Sequence, residues 1–196
     1  MLAFAGPAHA AGTPVVVAFG DSLSAGYGVA EAEAFPAQLK RALAEKGIEV
    51  RMINAGVSGD TSAGGRARLD WMLADKPDLV IVELGANDGL RGIEPAMTRG
   101  NIDAILTRLG GDGVSVLLTG MLAPPNLGAE YGDAFNTLFA GLAEKHDVIF
   151  YPFFLDGVAA NPALNQPDGI HPTAEGVAVI VERILPFVVE ALKKVE

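Results

Sequence analysis

A serine stands directly behind the first apolar segment of the chain, within the run Gly20-Asp21-Ser22-Leu23-Ser24. If that segment is a strand and a helix begins after it, the Ser22 hydroxyl is exposed at the turn, where a helix N-terminus favours negative charge. Such a hydroxyl could serve as a nucleophile. Asp21 and Ser22 are also residue types that simply cap helices, and this segment alone leaves both interpretations open.

Hydrogen-bond donors for a negatively charged group are available after the next two apolar segments. Residues 54–62 contain glycines, and a glycine lets a backbone N–H approach a ligand without interference from a Cβ. Asn87, in the run Gly85-Ala86-Asn87-Asp88, carries an amide that could point at developing negative charge. Ordinary turns have the same composition, so neither segment is decisive alone.

An aspartate and a histidine stand three residues apart in the run Asp168-Gly169-Ile170-His171-Pro172. Both can share one turn, so the carboxylate can orient the imidazole and stabilise its charged form. This spacing does not by itself make His171 catalytic. The nucleophile candidate, the donor segments and this pair nevertheless all fall at the edge of the sheet predicted below, and their joint order indicates one site.

Apolar segments of strand character alternate with helical patterns along the chain. Strands are predicted at residues 14–19, 50–54, 79–84, 114–118 and 148–151. Helices are predicted around residues 35–43, 66–73, 102–109 and 131–145, and from residue 173 onwards. The pairs Gly110-Gly111 and Pro124-Pro125 are interpreted as loops, and Pro186 is expected to kink or interrupt the last helix.

Continuous apolar strands separated by helices predict a parallel sheet that is covered on both faces. With right-handed crossovers, the pattern predicts an α/β fold, namely a three-layer, flavodoxin-like α/β/α domain with a mainly parallel five-stranded sheet. Ligands of such sheets bind beyond the carboxyl ends of the strands. The segments with possible chemistry are therefore expected to meet at one edge of the sheet.

The composition limits the classes of protein to which the chain can belong. Its 196 residues correspond to one domain, and 50% hydrophobic with 19% charged residues exclude a disordered chain. The chain has no cysteine and three histidines, without an H-E-x-x-H pair, so neither a disulfide framework nor a zinc site is expected. The net charge of −10 argues against nucleic acid as the main partner.

The first residues have features of the end of a secretory leader. Ala8-His9-Ala10 fits the small-x-small rule for leader cleavage, although no basic residue precedes it. We interpret residues 1–12 as a residual leader-like or flexible segment and residues 13–196 as a single domain. A periplasmic or secreted location is expected, with the cytoplasm as the alternative, and no segment is apolar enough over sufficient length to predict a transmembrane helix.

Four segments between about residue 15 and the C-terminus resemble the hallmark blocks of the SGNH hydrolases, also called the GDSL family. The matching residues are Ser22 in Gly20-Asp21-Ser22-Leu23, Gly59 in Ser58-Gly59-Asp60-Thr61-Ser62, Asn87 in Gly85-Ala86-Asn87-Asp88 and His171 in Asp168-Gly169-Ile170-His171-Pro172. The longer runs around Ser22 and Asn87 are similar to the bacterial arylesterase and multifunctional thioesterase I/lysophospholipase branch of that family.

The resemblance implies two-step hydrolysis of short-to-medium acyl esters, with thioesters and lysophospholipids as further possible substrates. Ser22 would attack the carbonyl, His171 would accept its proton, and Asp168 would hold the imidazole. The oxyanion would lie among the backbone N–H groups of Ser22 and Gly59 and the side-chain amide of Asn87. Water would then release the acyl group. Neither a metal nor an organic cofactor is implied, and a monomer is favoured although the oligomeric state is open.

Loop position and the usual apolar character of ligand sites suggest residues that contact the substrate. These candidates are Leu23, Tyr27, Leu90, Leu122, Pro124, Pro125 and Tyr131. Ordinary loop packing accounts for each of them at least equally well. Three further aspartates, Asp21, Asp60 and Asp88, are expected to hold loops in place rather than to react.

Two non-hydrolytic functions are alternatives for the same fold class. A flavodoxin-like binding module would hold a phosphate in the serine-rich first loop, but the chain has no G-x-x-x-x-G-K or G-x-G-x-x-G motif, and Asp168 and His171 would have no role. A receiver-type signalling domain would carry a lysine after the fifth strand. The run Pro152-Phe153-Phe154-Leu155 occupies that position, so this second alternative is rejected.

Overall fold

A central sheet of five parallel strands forms the centre of the protein, which is described here for residues 12–195 of a computed structural model. The strands are β1 (Val15–Gly20), β2 (Arg51–Asn54), β3 (Leu79–Glu83), β4 (Ser115–Thr119) and β5 (Ile149–Tyr151). Their order in the sheet is β2-β1-β3-β4-β5, and every neighbouring pair is parallel. The predicted α/β class and parallel sheet are therefore confirmed.

Helices cover the sheet because its central strands are apolar at successive residues. Every residue of β3 is buried, as is every residue of β1 after Val15, so side chains on both faces of the sheet are shielded from water. The helices are α1 (Ser22–Ala25), α2 (Phe35–Glu45), α3 (Ser62–Ala67), α4 (Leu69–Leu73), α5 (Ala86–Leu90), α6 (Pro95–Gly111), α7 (Ala129–His146) and α8 (Ala174–Leu192). Helix α2 packs against α8, whereas α6 packs against α3 and α7.

The predicted helix over residues 66–73 is wrong in one respect, because the structure has two short helices separated at Arg68. The Arg68 side chain lies 4.3 Å from the centre of the Phe19 ring and donates hydrogen bonds to Asp60 and to the carbonyl oxygens of Ala55 and Gly20. These long-range bonds account for a break that local helical periodicity could not indicate.

The interpretation of Gly110-Gly111 as a loop is also wrong, since both residues belong to the last turn of α6. The left-handed residue beyond this helix is Gly113, whose φ of 73° suits glycine.

Pro186 does not interrupt α8, which continues from Ala174 to Leu192. Pro186 lies on the exposed side of α8, where the carbonyl that loses its helical donor can be hydrated, while the opposite side is buried in the core.

The strand order places the functional candidates at the point where the chain changes direction across the sheet. From β1 the chain continues to β2 on one side, and β3 lies on the other side of β1. Loops from β1 and β3 therefore border a crevice at the carboxyl edge, which is where ligands of such sheets bind.

Within residues 12–195, no helix is long and apolar enough to cross a membrane. The leader-like motif Ala8-His9-Ala10 lies outside the described residues and stays a prediction.

Candidate active site

Ser22 is the first residue of α1 and follows β1 after a single connecting residue, Asp21. The Asp21 carboxylate caps α1 by accepting a hydrogen bond of 3.0 Å from the N–H of Leu23. Asp21 therefore supplies the cap and leaves the Ser22 hydroxyl free for another partner, although Ser22 is largely buried rather than exposed as the turn predicted. The Ser22 hydroxyl oxygen lies 2.9 Å from Nε2 of His171, although the two residues are 149 positions apart in the sequence.

Asp168 and His171 share one turn, as their spacing predicts. Nδ1 of His171 lies 2.7 Å from Oδ2 of Asp168, and Oδ1 accepts hydrogen bonds of 3.0 Å from the backbone N–H groups of His171 and Ile170. These two backbone donors, with the imidazole, lower the pKa of Asp168 to about 2. A carboxylate beside Nδ1 favours a proton there, which leaves Nε2 as the acceptor that faces Ser22.

Asn87 and Gly59 lie on the neighbouring loops. Asn87, in α5 beyond β3, donates a hydrogen bond of 2.9 Å from Nδ2 to Oδ2 of Asp21. This bond fixes which end of the amide carries the hydrogens, because a carboxylate only accepts. The Gly59 carbonyl accepts a bond of 2.8 Å from Arg91. Neither the backbone N–H of Ser22 nor that of Gly59 donates a hydrogen bond to another described residue.

The aspartates expected to hold loops in place do so in the structure. Asp60 pairs with Arg68 at 2.6 Å, which links its loop to the end of β1. Asp88 is buried and accepts hydrogen bonds from the N–H and hydroxyl of Ser62 at 2.8 and 2.5 Å and from the hydroxyl of Thr98 at 3.0 Å. The loops that carry Gly59 and Asn87 are therefore held together by buried polar contacts.

Another carboxyl group, that of Glu83 at the end of β3, is buried and contacts Asp21 and Ser24 in the segment that carries Ser22. Its Oε2 accepts hydrogen bonds from the Ser24 hydroxyl at 2.8 Å and the Asp21 N–H at 3.2 Å, while Oε1 has no partner among the described residues. Burial raises the pKa of Glu83 well above its usual range, and the Asp21 carboxyl raises it further. Burial also raises the pKa of Asp21 to about 6, against the lowering effect of its hydrogen bonds from Leu23 and Asn87.

A cavity of about 400 Å³ opens beside Ser22, Asn87 and His171. Its remaining wall is mostly apolar and is formed by Leu23, Ala86, Leu90, Met121, Leu122, Ala123, Pro124, Phe153, Leu155, Ala159, Ala160, Asn165, Gly169 and Ile170. A polar groove of about 620 Å³ lies elsewhere, beside Asp78 and Ser115 at the amino ends of β3 and β4. The cavity of about 400 Å³ adjoins the Ser22–His171 pair, so it is the candidate binding site.

The structure separates the predicted substrate contacts into two groups. Four of them line the cavity, namely Leu23, Leu90, Leu122 and Pro124, whereas Tyr27, Pro125 and Tyr131 are absent from its wall. The Tyr27 ring instead lies 4.5 Å from the His171 ring, centre to centre. Tyr131 packs against Phe135, and its hydroxyl donates to the carbonyl of Ile93.

Sequence analysis missed the cavity wall that directly follows β5 and part of the wall that follows β4, where it included Leu122 and Pro124. Met121 follows β4, while Phe153 and Leu155 follow β5. Their position beyond strand ends was the available signal, but apolar residues there are equally typical of loop packing. In the part of the chain that the structure describes, no cluster of three or more His, Asp or Glu side chains could hold a metal ion.

Comparison with known proteins gives consistent matches. The model of the GDSL-like Lipase/Acylhydrolase family matches residues 18–179. The chain is 42% identical over 178 residues to "Esterase TesA" of Pseudomonas aeruginosa, covering 90% of this chain and 88% of that protein. It is 38% identical over 175 residues to "Thioesterase 1/protease 1/lysophospholipase L1" of Escherichia coli K12, covering 89% and 83%. The crystal structure of the SGNH-hydrolase family esterase AlinE4 is 50% identical, with a TM-score of 0.78 and coverage of 93% and 98%.

The buried Glu83 carboxyl predicts a specific pH dependence of stability. Unfolding returns this group to its ordinary pKa of 4.5, whereas the folded chain keeps the proton to higher pH. A rise of pH above about 4.5 therefore favours the unfolded state through Glu83. Asp21 adds the same tendency between pH 3.8 and about 6.

We expect Glu83→Gln to reduce the loss of stability with rising pH, because an amide has no proton to release. Urea unfolding between pH 4 and 8 would measure the free energy of unfolding of each variant. Glu45→Gln, at an exposed position in α2, is the matched control and should keep the wild-type slope. Parallel curves for Glu83→Gln and the wild type would contradict the prediction.

Proposed function

Because this chain belongs to the GDSL-like lipase/acylhydrolase family and is a carboxylic ester hydrolase, we propose that Ser22, His171 and Asp168 are its catalytic residues. The observation that carries this proposal is the continuous contact from the Ser22 hydroxyl through His171 to Asp168, with distances of 2.9 and 2.7 Å. Ser22 and His171 line a mostly apolar cavity that is large enough for a small ligand. A non-hydrolytic binding module would leave that contact without a role.

In the first step, the Ser22 oxygen attacks the ester carbonyl carbon and its proton moves to Nε2 of His171. The Asp168 carboxylate stabilises the resulting imidazolium through Nδ1. Collapse of the tetrahedral intermediate breaks the bond to the alcohol oxygen, which takes the proton from His171. Water then attacks the acyl-Ser22 ester with His171 again as the base, and the acid is released.

The oxyanion formed in both steps is proposed to accept hydrogen bonds from the backbone N–H groups of Ser22 and Gly59 and from Asn87. Both backbone donors are free of hydrogen bonds to other described residues. One hydrogen of the Asn87 amide is held by Asp21, which leaves the second available for the oxyanion. Donors already in place need no rearrangement when charge develops, and this is the basis of their catalytic effect.

The substrate is proposed to be an ester with an uncharged, short-to-medium acyl group that occupies the apolar cavity. The residues that line this cavity include no Asp, Glu, Lys or Arg, and His171 is the one titratable side chain among them. The first 39 residues, which include the Ser22 loop, contain Asp21, Glu31 and Glu33 but no lysine or arginine. Arg91, near the oxyanion donors, is engaged with the Gly59 carbonyl. This charge distribution disfavours strongly anionic leaving groups.

Ser22→Ala should lower kcat with p-nitrophenyl butyrate by about 10⁴-fold or more, because it removes the nucleophile. Ser115→Ala is the matched control, since Ser115 lies at the opposite end of the sheet, and it should retain wild-type turnover. Steady-state kinetics and circular dichroism on both variants would separate loss of chemistry from loss of fold. Wild-type turnover in a folded Ser22→Ala protein would overturn the proposed mechanism.

Asn87→Ala should lower kcat by about 10²–10³-fold with little change in KM, because an oxyanion donor acts mainly in the transition state. Asn161→Ala removes an exposed loop amide whose bond to Ala163 is local, and it should leave kcat unchanged. The same ester assayed over a range of concentrations gives both constants. A pure increase in KM for Asn87→Ala would instead identify a residue that only binds substrate.

A butyryl aryl ester should be hydrolysed with a higher kcat/KM than butyryl-coenzyme A at low salt. Coenzyme A carries several phosphate charges, and the protein has a net charge of −10. Salt at about 0.15 M, where the Debye length is about 8 Å, should remove much of the difference. The measurement is kcat/KM for both substrates at low and high salt. A thioester that is faster at low salt, or insensitive to salt, would contradict the charge argument.

A further inference from the structure

Two segments that are remote in the sequence must stay aligned for Ser22 and His171 to remain in contact. Residues 22–28 carry Ser22, and residues 164–173 carry Asp168 and His171. Within the described part of the chain, two hydrogen bonds join these segments directly: the Ser22–His171 contact itself and a bond from Gln166 to Tyr27. Gln166 therefore supplies the hydrogen bond between the segments that does not take part in the proposed proton transfer.

The Gln166 side chain uses both of its amide hydrogens. Nε2 donates to the backbone carbonyl of Tyr27 at 2.7 Å and to the backbone carbonyl of Pro172 at 3.0 Å. Both partners can only accept, so the orientation of the amide is fixed. Its Oε1 packs against Gly28, where a Cβ would lie 2.1 Å away and where φ is 75°. A side chain at residue 28 would exclude Gln166 from this position.

The backbone of Gln166 also closes the turn that carries His171. Its N–H donates to the carbonyl of His171 at 2.8 Å, and its carbonyl accepts from Gly169 at 2.9 Å. With the bonds that Asp168 accepts, this makes the Asp168–His171 turn a closed unit. Asn165 joins this unit to the carbonyls of Val158 and Asn161, whereas Gln166 joins it to the segment that carries Ser22.

Tyr27 connects the Gln166 side chain to the His171 imidazole, because its carbonyl accepts the Gln166 bond and its ring contacts the His171 ring. Its ring lies 4.5 Å from the His171 ring, with the two planes inclined by 38°. Tyr27 is 54% exposed, so burial alone does not hold the ring there. The hydrogen bond from Gln166 fixes the backbone of Tyr27 and thereby the position from which its ring contacts His171.

We propose that Gln166 is a positioning residue which, through Tyr27, keeps the His171 imidazole aligned with the Ser22 hydroxyl. The proposal rests on the catalytic roles assigned above and adds a residue that touches neither the reacting atoms nor the substrate. Small misplacements of a catalytic group are costly, with about 1 Å lowering rates by about 100-fold. Loss of the Gln166 bond should therefore reduce turnover more than substrate binding.

The chain offers a matched control in Gln38. Its Nε2 also donates to two backbone carbonyls of separate segments, those of Glu33 and Ala174, at 2.8 and 2.9 Å. Gln38 and Gln166 are both partly buried. Gln38→Ala thus removes the same number and kind of hydrogen bonds without touching Tyr27 or His171, and it should leave kcat unchanged.

Two variants of Gln166 test the proposal with p-nitrophenyl butyrate at a fixed pH. Gln166→Ala should lower kcat by about 10-fold or more while KM changes less than about 2-fold. Gln166→Glu preserves the size of the side chain but places carboxylate oxygens against two carbonyl oxygens, so it should lose at least as much kcat. A role in packing alone would instead leave Gln166→Glu close to the wild type and would overturn the proposal.

A double-mutant cycle tests whether Tyr27 transmits the effect. If it does, adding Gln166→Ala to a Tyr27→Ala protein should change kcat by less than about 2-fold. Full additivity would overturn this inference, and so would a kcat for Gln166→Ala equal to that of Gln38→Ala. In either case an inactive Ser22→Ala would still support the proposed function. Retained turnover in Ser22→Ala would overturn the proposed function, whichever result Gln166→Ala gives.

Discussion

The pairing of β1 with β3 is the constraint on which the rest of the site depends. Its register places Gly20 opposite Glu83, so both strands end at the same level of the sheet. Because the strands are parallel, the segments that follow them start side by side, and Asn87 comes within hydrogen-bond distance of Asp21, the neighbour of Ser22. Side chains on both faces of these two strands are packed in the core, so a slip in register would misplace each of them against its neighbours.

Three carboxyl groups near Ser22 have different protonation behaviour, and their surroundings explain the differences. Asp168 accepts two backbone hydrogen bonds and faces an imidazole, so its ionised form is favoured. Asp21 is buried, yet it keeps two donors that partly offset the cost of desolvation. Glu83 is fully buried and lies close to the Asp21 carboxyl, so its neutral form is favoured. Burial thus separates a carboxylate suited to stabilising imidazolium from a carboxylic acid suited to supporting a loop.

Polar side chains connect the loops at the carboxyl edge, and few of these connections are local. Arg68 joins the Gly59 loop to the end of β1, and Asp88 joins α3 to α6 through Ser62 and Thr98. Gln166 joins the turn of His171 to the loop of Ser22. Each of these bonds joins segments that are far apart in the sequence, so polar contacts add to helix packing in setting the relative positions of the segments around the site.

The sequence by itself determined the five strands, the longer helices α2, α6, α7 and α8 and the residues at the strand ends, because hydrophobic periodicity and residue type are local properties. It also indicated that Ser22, Asn87 and the Asp168–His171 turn meet at one edge, since parallel strands direct their carboxyl ends the same way. Only the tertiary structure decided the break at Arg68, the apolar wall from Phe153 and Leu155, the displacement of Tyr27 from the cavity to the face of His171, and the link through Gln166. These features depend on side-chain contacts between segments far apart in the chain, and such contacts leave no periodic pattern in the sequence of either segment.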